Sequence, residues 1–201
     1  QNHDQVGNRA RGERIGHLAG VARAKVGAAV TLLAPFVPML FQGEEWAAST
    51  PFPYFCDHVD PQLAAAVSQG RRHEFAAFGW DPAEFPDPQD PATFRAATLD
   101  WTERERAPHS EVLHWYRDLI ALRRGHPALL DGDLAAVTVA ADEAEGRLEM
   151  RRGPVALLVN LGRADQRFPV GGEVALATTE GIACARGAVT VPPDSAAIVV
   201  A

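Results

Sequence analysis

Seven short runs rich in β-branched and small apolar residues follow one another after Asp131, and they restrict the fold of this part of the chain more than any other feature. The runs are AVTVA, RLEMRR, VALLVNL, QRFPV, EVALATT, AVTVP and AAIVV, separated by turn-forming sequences such as EGR, GRAD and GG. Short strands at nearly regular spacing are typical of an antiparallel β-sandwich. We therefore predict a sandwich domain over residues 131–201, with a domain boundary near residues 129–133.

Residues 13–41 combine a helical pattern with an uninterrupted apolar run. Apolar residues recur at helical spacing from Ile15 to Leu33, and Pro35 ends the helix. The run FVPMLF, residues 36–41, is apolar at every position. A run without alternation is typical of a strand buried on both faces, as in a parallel sheet covered by helices. Because a helix leading into such a strand is half of a β/α repeat, we predict an α/β fold for this part of the chain.

A long loop is predicted over residues 47–109, which are rich in proline. The sequence DPAEFPDPQDPATF, residues 81–94, alternates acids with prolines, so we expect no regular element there. A short helix is expected around residues 62–69. Aromatic side chains give the loop material for packing: Trp46, Phe52, Tyr54, Phe55, Phe75, Phe78 and Trp80.

The clearest helix is predicted over residues 110–124. Ser110 is a favourable N-cap, Gly125 suits the position after the last turn, and Pro127 prevents continuation. Apolar residues at helical spacing form the expected buried face: Val112, Trp115, Tyr116, Leu119, Ile120 and Leu122.

The charge and cysteine content exclude several classes of partner. A formal net charge of −7, without any basic run, argues against nucleic acid and suits a neutral ligand such as a sugar. The longest nearly apolar stretch, residues 28–41, contains two prolines and is too short to span a membrane. Cys56 and Cys184 belong to no metal-binding or disulfide pattern, so we predict reduced thiols and a cytoplasmic location.

Three groups of residues are candidates for a functional site. His3 and Asp4 place an imidazole beside a carboxylate, a pair that can bind sugar hydroxyls and stabilise positive charge; an exposed polar terminus is the alternative. The sequence QGEEW, residues 42–46, follows the predicted strand, and the carboxyl ends of parallel strands face the active site. The sequence PFPYFCDH, residues 51–58, mixes aromatic faces with polar groups, as sugar sites do. For QGEEW the alternative is a solvated loop with a packed tryptophan. For PFPYFCDH the alternative is a local aromatic core.

Motifs for other chemistry are missing from the sequence. It contains no HExxH, HxxxH, GxSxG, Walker-type or dinucleotide-binding glycine pattern. We therefore predict neither a metal ion nor a cofactor.

The opening sequence QNHDQ resembles the fourth conserved region of the α-amylase family of glycoside hydrolases, in which NHD ends the seventh strand of a (β/α)₈ barrel. The predicted order of a helix, a buried strand, a further helix and a sandwich is similar to that family's order. The resemblance implies an α/β fold plus an all-β domain. Residues 1–130 would form the C-terminal part of the TIM barrel, from the end of strand seven to helix eight, and residues 131–201 an antiparallel β-sandwich.

Four longer sequences resemble the malto-oligosyltrehalose trehalohydrolase branch of that family: QNHDQVGNRARGERI, FQGEEWAASTPFPYFCDH, GRRHEFAAFGW and DPQDPATFRAATLDW. Cys56 stands where a threonine is expected before DH. The resemblance implies maltooligosyltrehalose or a related α-glucan as the partner, and trehalose as the product. The alternatives are another enzyme of the α-amylase family, such as a glucanotransferase or a branching enzyme, and a non-catalytic carbohydrate-binding module.

The resemblance also implies roles for individual residues. Asp4 would be the third catalytic carboxylate, which stabilises the transition state of a retaining reaction without acting as nucleophile or proton donor. The implied substrate-binding residues are His3, Gln5, Glu44, Trp46, Asp57 and His58. The nucleophile and the acid/base would lie on strands four and five, outside this chain, so residues 1–201 alone are expected to be inactive. The missing N-terminal part of the barrel is then a further partner, without which apolar faces of residues 13–46 and 110–124 are expected to be exposed.

Overall fold

The computed structural model describes residues 1–76, 79 and 85–201. Helices occupy the first part of the described chain: α1 His3–Gly7, α2 Ile15–Leu33, α3 Pro61–Ala76, α4 Pro91–Ala96, α5 His109–Gly125 and α6 Pro127–Leu130. Short 3₁₀-helices lie at Glu44–Trp46, Trp101–Glu105 and Leu134–Ala136. Strands occupy the last part: β1 Val137–Asp142, β2 Arg147–Arg152, β3 Val155–Asn160, β4 Gln166–Phe168, β5 Glu173–Ala177, β6 Cys184–Ala185, β7 Ala188–Val191 and β8 Ser195–Val200.

The predicted β-sandwich is confirmed. Two antiparallel sheets, ordered β1-β2-β3-β8-β5 and β4-β7-β6, enclose a core of their own. Each of the seven predicted runs contains a strand. The eighth, β6, was missed because Cys184–Ala185 is too short to show an alternating pattern.

The two long helices confirm the helical patterns but differ from them in detail. Helix α2 has a kink at Gly20, whose φ of 82° lies in a region that favours glycine. Helix α5 begins at His109, and the prediction of Ser110 as its N-cap is wrong. Pro108 occupies that position because its carbonyl already accepts the helical hydrogen bond from the Val112 N–H.

The predicted loop over residues 47–109 contains more helix than expected. Helix α3 confirms the expected helix but continues to Ala76. The expectation that residues 81–94 hold no regular element is wrong, because α4 begins at Pro91. Asp90 caps it by accepting a hydrogen bond from the Ala92 N–H, and proline suits the first helical position because no N–H is needed there. Phe78, Trp80 and the side chain of Phe75 lie outside the part that the structure describes.

The predicted buried strand over residues 36–41 is not formed. Phe36, Val37 and Met39 are 62%, 94% and 60% exposed, and the segment has no regular structure. The prediction is wrong for a physical reason: a buried parallel strand takes its hydrogen bonds from strands on both sides, and neither sheet of the described residues includes this segment. These exposed side chains agree with the expectation that apolar faces of residues 13–46 are uncovered in the absence of the N-terminal part of the barrel. Helix α5, in contrast, buries Val112, Trp115, Tyr116 and Leu119.

Helices α2 and α5 pack on the outer face of the five-stranded sheet and share one core with it. Its buried members come from both parts of the chain and include Leu32, Trp115, Leu119, Leu157 and Ile198. Two arginines reinforce this contact at the C-terminal end of α2. Arg152 of β2 donates to the carbonyl of Leu33 at 2.7 Å, and Arg123 of α5 donates to that of Ala34 at 2.8 Å. The division into domains of residues 1–130 and 131–201 therefore stays a prediction, since a common core crosses it.

Candidate functional site

Helix α1 holds the first candidate pair in place through a capping box at its N-terminus. The Asn2 side chain accepts a hydrogen bond from the Gln5 N–H at 2.9 Å, and the Gln5 side chain accepts one from the Asn2 N–H at 3.1 Å. Gln5 thus uses its side-chain oxygen within the cap. His3 and Asp4 occupy the first turn between these residues and project from it.

His3 and Asp4 form an exposed pair on the wall of a cavity. The His3 Nε2 and Asp4 Oδ1 atoms are 3.0 Å apart, and the two side chains are 72% and 68% exposed. The cavity has a volume of about 680 Å³. Aromatic, apolar and polar groups line it: His3, Asp4, Gly7, Asn8, Phe52, Tyr54, Phe55, Val67, Gly70 and Arg71. A carboxylate and an imidazole beside aromatic faces form a site suited to a sugar ring, which presents hydroxyls at its rim and C–H groups on its faces.

Arg71 joins helix α3 to helix α1 across this cavity. Its guanidinium donates to the Gly7 carbonyl and to the Asn8 side-chain oxygen, both at 3.1 Å. The same group lies 4.8 Å from the centre of the Tyr54 ring, a cation–π distance. Burial raises the pKa of Tyr54, a hydrogen bond with Cys56 raises it further, and the positive charge of Arg71 opposes both effects.

A second cavity, of about 420 Å³, adjoins the first. It is lined by Phe55, Cys56, Asp57, Pro88, Gln89, Asp90, Pro91 and Phe94, so Phe55 borders both cavities. Asp57, a predicted substrate-binding residue, lies here and not beside Asp4. His58 lines neither cavity, and its N–H donates to the Gln89 side chain at 3.1 Å.

Glu44 and Trp46 lie in the protein interior, where they are 8% and 1% exposed, and they line neither of these cavities. Tyr116 donates from its hydroxyl to Glu44 at 3.4 Å. Burial and the nearby Glu44 raise the pKa of Tyr116, so this hydroxyl stays protonated. The geometry therefore does not bring these two residues to Asp4.

Arg14 fixes the loop that carries them. It is 2% exposed and donates to the carbonyls of Gln42 at 2.7 Å and Thr50 at 2.6 Å. Burial lowers the pKa of Arg14, and the negative charge of Glu44 opposes this effect. The segment after α1 is thereby attached to the loop that leads to Tyr54. A Cβ at Gly12 would lie 2.1 Å from the backbone of Pro53, so only glycine permits this close approach.

Curated proteins with similar sequences share one name. A malto-oligosyltrehalose trehalohydrolase of Arthrobacter ramosus is 49% identical over 187 residues, which are 93% of this chain and 32% of that protein. Another, of Brevibacterium helvolum, is 45% identical over 199 residues, 98% of this chain and 34% of that protein. Over almost its whole length, the chain is similar to malto-oligosyltrehalose trehalohydrolases. It spans about a third of the length of these relatives, and no family model matches it.

A solved structure is similar to this chain in its fold. A crystal structure from Salmonella typhimurium, provisionally named an α-amylase, covers all of this chain with a TM-score of 0.83 and 34% identity. The chain covers 34% of that protein. The predicted fold class, the C-terminal part of an α-amylase-type barrel followed by a β-sandwich, is therefore confirmed.

Two other kinds of feature are absent from the part of this chain that the structure describes. There, no group of three or more His, Cys, Asp or Glu side chains is arranged to hold a metal ion. Likewise, none of the helices in those residues has the length and apolar character needed to cross a membrane. Cys56 and Cys184 are free thiols.

Sequence reasoning missed Arg71 as a site residue. It lies in GRR at the start of one family-like sequence, but nothing in the local pattern indicates its partners. Gly7 precedes it by 64 positions, and only the packing of α3 against α1 brings the two together. The signal that could have found it is the resemblance of the whole GRRHEFAAFGW sequence, of which the structure describes the first part.

Proposed function

We propose that this chain forms part of a retaining glycoside hydrolase that cleaves the α-1,4 bond next to the trehalose end of maltooligosyltrehalose and so releases trehalose. The observation that carries the proposal is the exposed Asp4–His3 pair on the wall of the aromatic cavity, in a chain 45–49% identical to trehalohydrolases. The names of those relatives supply the substrate class, and the cavity supplies groups that suit it.

Asp4 acts in this proposal through its charge. In a retaining hydrolysis an acid protonates the leaving oxygen, here that of trehalose, while a carboxylate nucleophile forms a covalent bond to the glucosyl carbon. Water then releases the sugar from the nucleophile. The glucosyl ring carries positive charge in both transition states, and a third carboxylate at the cavity wall stabilises it. Asp4 is exposed and therefore accessible to the ring.

The neighbouring residues bind and orient the same sugar. His3, 3.0 Å from Asp4, can hydrogen-bond a hydroxyl while it orients the carboxylate. Tyr54 and Phe55 offer aromatic surface to the C–H faces of the ring. Gln5 acts indirectly in this proposal, by capping α1, and Glu44, Trp46 and His58 support the loops around the cavity.

The nucleophile and the acid/base belong, in this proposal, to a part of the enzyme outside residues 1–201, so these residues alone have no activity. The free thiols Cys56 and Cys184 favour a cytoplasmic location, where cysteines remain reduced.

The test is an assay for free trehalose with two proteins, the full-length protein that contains these residues and residues 1–201 alone. Both receive maltooligosyltrehalose, and plain maltooligosaccharide serves as the control substrate. Trehalose released by the full-length protein only is the expected result. Rearrangement of plain maltooligosaccharide without trehalose would indicate another α-amylase-type enzyme, and glucan binding without turnover a carbohydrate-binding module. Activity of residues 1–201 alone would overturn the assignment of roles.

A further inference from the structure

A third, much smaller cavity lies between the start of α2, the 3₁₀-helix Glu44–Trp46 and α5. Its volume is about 20 Å³, and the polar side chains in its wall belong to Gln1, Arg14, Glu44 and Tyr116. Arg14, Glu44 and Tyr116 are buried. A water molecule needs roughly 10–15 Å³ and about two to four polar partners to occupy an interior site. The cavity therefore has room for a water molecule and is too small for a sugar ring.

The guanidinium of Arg14 has one donor group left over in this cavity. Its Nε donates to the Thr50 carbonyl at 2.6 Å, and its Nη1 donates to the Gln42 carbonyl at 2.7 Å. These two bonds fix the planar fork, so the direction of Nη2 is fixed with them. Nη2 is buried and makes no hydrogen bond to any of the described residues. Because a buried donor without a partner is costly, proteins almost always supply a partner for it.

Glu44 supplies the complementary acceptor. Its Oε1 accepts from the Tyr116 hydroxyl at 3.4 Å. Its Oε2 is buried and, within the described residues, accepts no hydrogen bond, although the Gln1 backbone nitrogen lies 3.3 Å away. The charge of Glu44 is the strongest influence opposing the effect of burial on the pKa of Arg14, so the two charges are near neighbours. A donor and an acceptor without partners thus belong to two side chains that line the same small cavity.

The two side chains select the chemistry of what lies between them. A group that connects a guanidinium N–H to a carboxylate oxygen must accept one hydrogen bond and donate another. Water does both, and a hydrogen bond through water is enthalpically almost as favourable as a direct one. A cation cannot accept from Arg14, and an anion such as chloride cannot donate to Glu44.

We propose that the small cavity binds one structural water molecule, which accepts from Arg14 Nη2 and donates to Glu44 Oε2. Glu44 is then the internal counter-ion of Arg14, the residue that holds both ends of the loop Gln42–Thr50. Through its bond with Tyr116, the same carboxylate connects this loop to α5. The inference does not depend on the proposed reaction.

The first test is a crystal structure of the full-length protein that contains these residues, at a resolution that shows ordered waters. The expected result is one water within about 3.2 Å of both Arg14 Nη2 and Glu44 Oε2. Direct contact between these two atoms, a side chain from another part of the protein between them, or the absence of density there would each overturn the inference.

The second test compares substitutions of Glu44 in the full-length protein by thermal unfolding and crystallography. Glu44→Gln keeps an oxygen of the same shape, so the water should remain. Glu44→Leu removes the acceptor, so the water should be lost, and the melting temperature should fall by several degrees more than in Glu44→Gln because Arg14 stays buried without a counter-ion.

Glu45→Leu is the matched control for loss of charge. Glu45 is the next residue of the same 3₁₀-helix, and its charge also acts on Arg14, but it does not line the cavity. The melting temperature of Glu45→Leu should stay close to that of the wild type. Equal melting temperatures for Glu44→Leu and Glu45→Leu, or a water retained beside Arg14 in Glu44→Leu, would overturn the bridge between Arg14 and Glu44.

Discussion

The guanidinium of Arg71 lies 4.8 Å from the centre of the Tyr54 ring while it donates two hydrogen bonds to Gly7 and Asn8. One side chain of helix α3 therefore fixes both the aromatic wall of the first cavity and the end of the helix that bears Asp4. Displacement of a catalytic group by about 1 Å can lower the rate on the order of 100-fold.

Replacement of Arg71 is therefore expected to impair turnover in the full-length protein. Arg71→Leu should lower kcat/KM for trehalose release by roughly 10- to 100-fold, because α1 is no longer attached to α3. The kcat/KM of Arg71→Lys should lie between those of the wild type and Arg71→Leu, since lysine keeps the charge but lacks the planar fork of donors. Arg117→Leu is the control, because Arg117 is exposed on α5 and lines neither cavity. Equal kcat/KM values for the Arg71 and Arg117 variants would contradict this role.

Asp4→Asn is expected to reduce kcat in the full-length protein by roughly 100- to 1,000-fold, as for loss of one group that stabilises transition-state charge. Folding should be nearly unchanged, because the side chain is 68% exposed and contributes little packing. Single-turnover release of trehalose measures the first effect, and thermal unfolding the second. Wild-type turnover in this variant would remove Asp4 from the mechanism.

The two long helices and most strands of the sandwich could be predicted from local sequence patterns. Helix α2 and helix α5 follow from the helical spacing of their apolar residues, and seven strands of the sandwich follow from short β-rich runs separated by turn sequences. Residues 36–41 could not be predicted in this way. Their apolar run specifies a buried strand only where neighbouring strands supply hydrogen bonds, and the described residues supply none beside it.

The candidate site was predictable to a similar extent. The NHD motif pointed to His3 and Asp4, which the structure places on the cavity wall. The position of QGEEW after an apolar run pointed to Glu44 and Trp46, but hydrogen bonding and aromatic packing place both in the interior. Arg71 was missed because its partners are remote in the chain. Such contacts depend on tertiary packing and leave no local signal.

Arg152 is expected to stabilise the contact between the sandwich and the helices. The side chain is 3% exposed and donates to the carbonyls of Leu33, Ala34 and Asp131. Arg152→Met should lower the free energy of unfolding by about 2–3 kcal/mol, because buried carbonyls lose their donors. Arg151→Met is the matched control, since Arg151 is exposed and pairs with Glu149 at the surface, where ion pairs contribute little. The measurement is urea unfolding of both variants, and equal midpoints would count against the stabilising role of Arg152.

Asp87 is expected to make the stability of the protein depend on pH in the acid range. The Ser68 hydroxyl and the Gln89 N–H donate to its carboxylate and, with Arg72, hold the pKa of Asp87 below its ordinary value near 3.8. A carboxyl group with a lowered pKa in the folded state contributes stability above the unfolded value, and the contribution is lost as pH falls below about 4.

The comparison of Asp87→Asn with the wild type checks this dependence. The variant should melt at a lower temperature than the wild type at pH 7, and the difference should shrink as the pH is lowered from about 5 toward 2. Asp118→Asn, on the exposed face of α5, is the control for the substitution itself. Asp87 attaches the loop before α4 to helix α3 through hydrogen bonds from Ser68 and Arg72. A melting difference that is constant across the pH range would show that the carboxylate charge of Asp87 contributes nothing to this attachment.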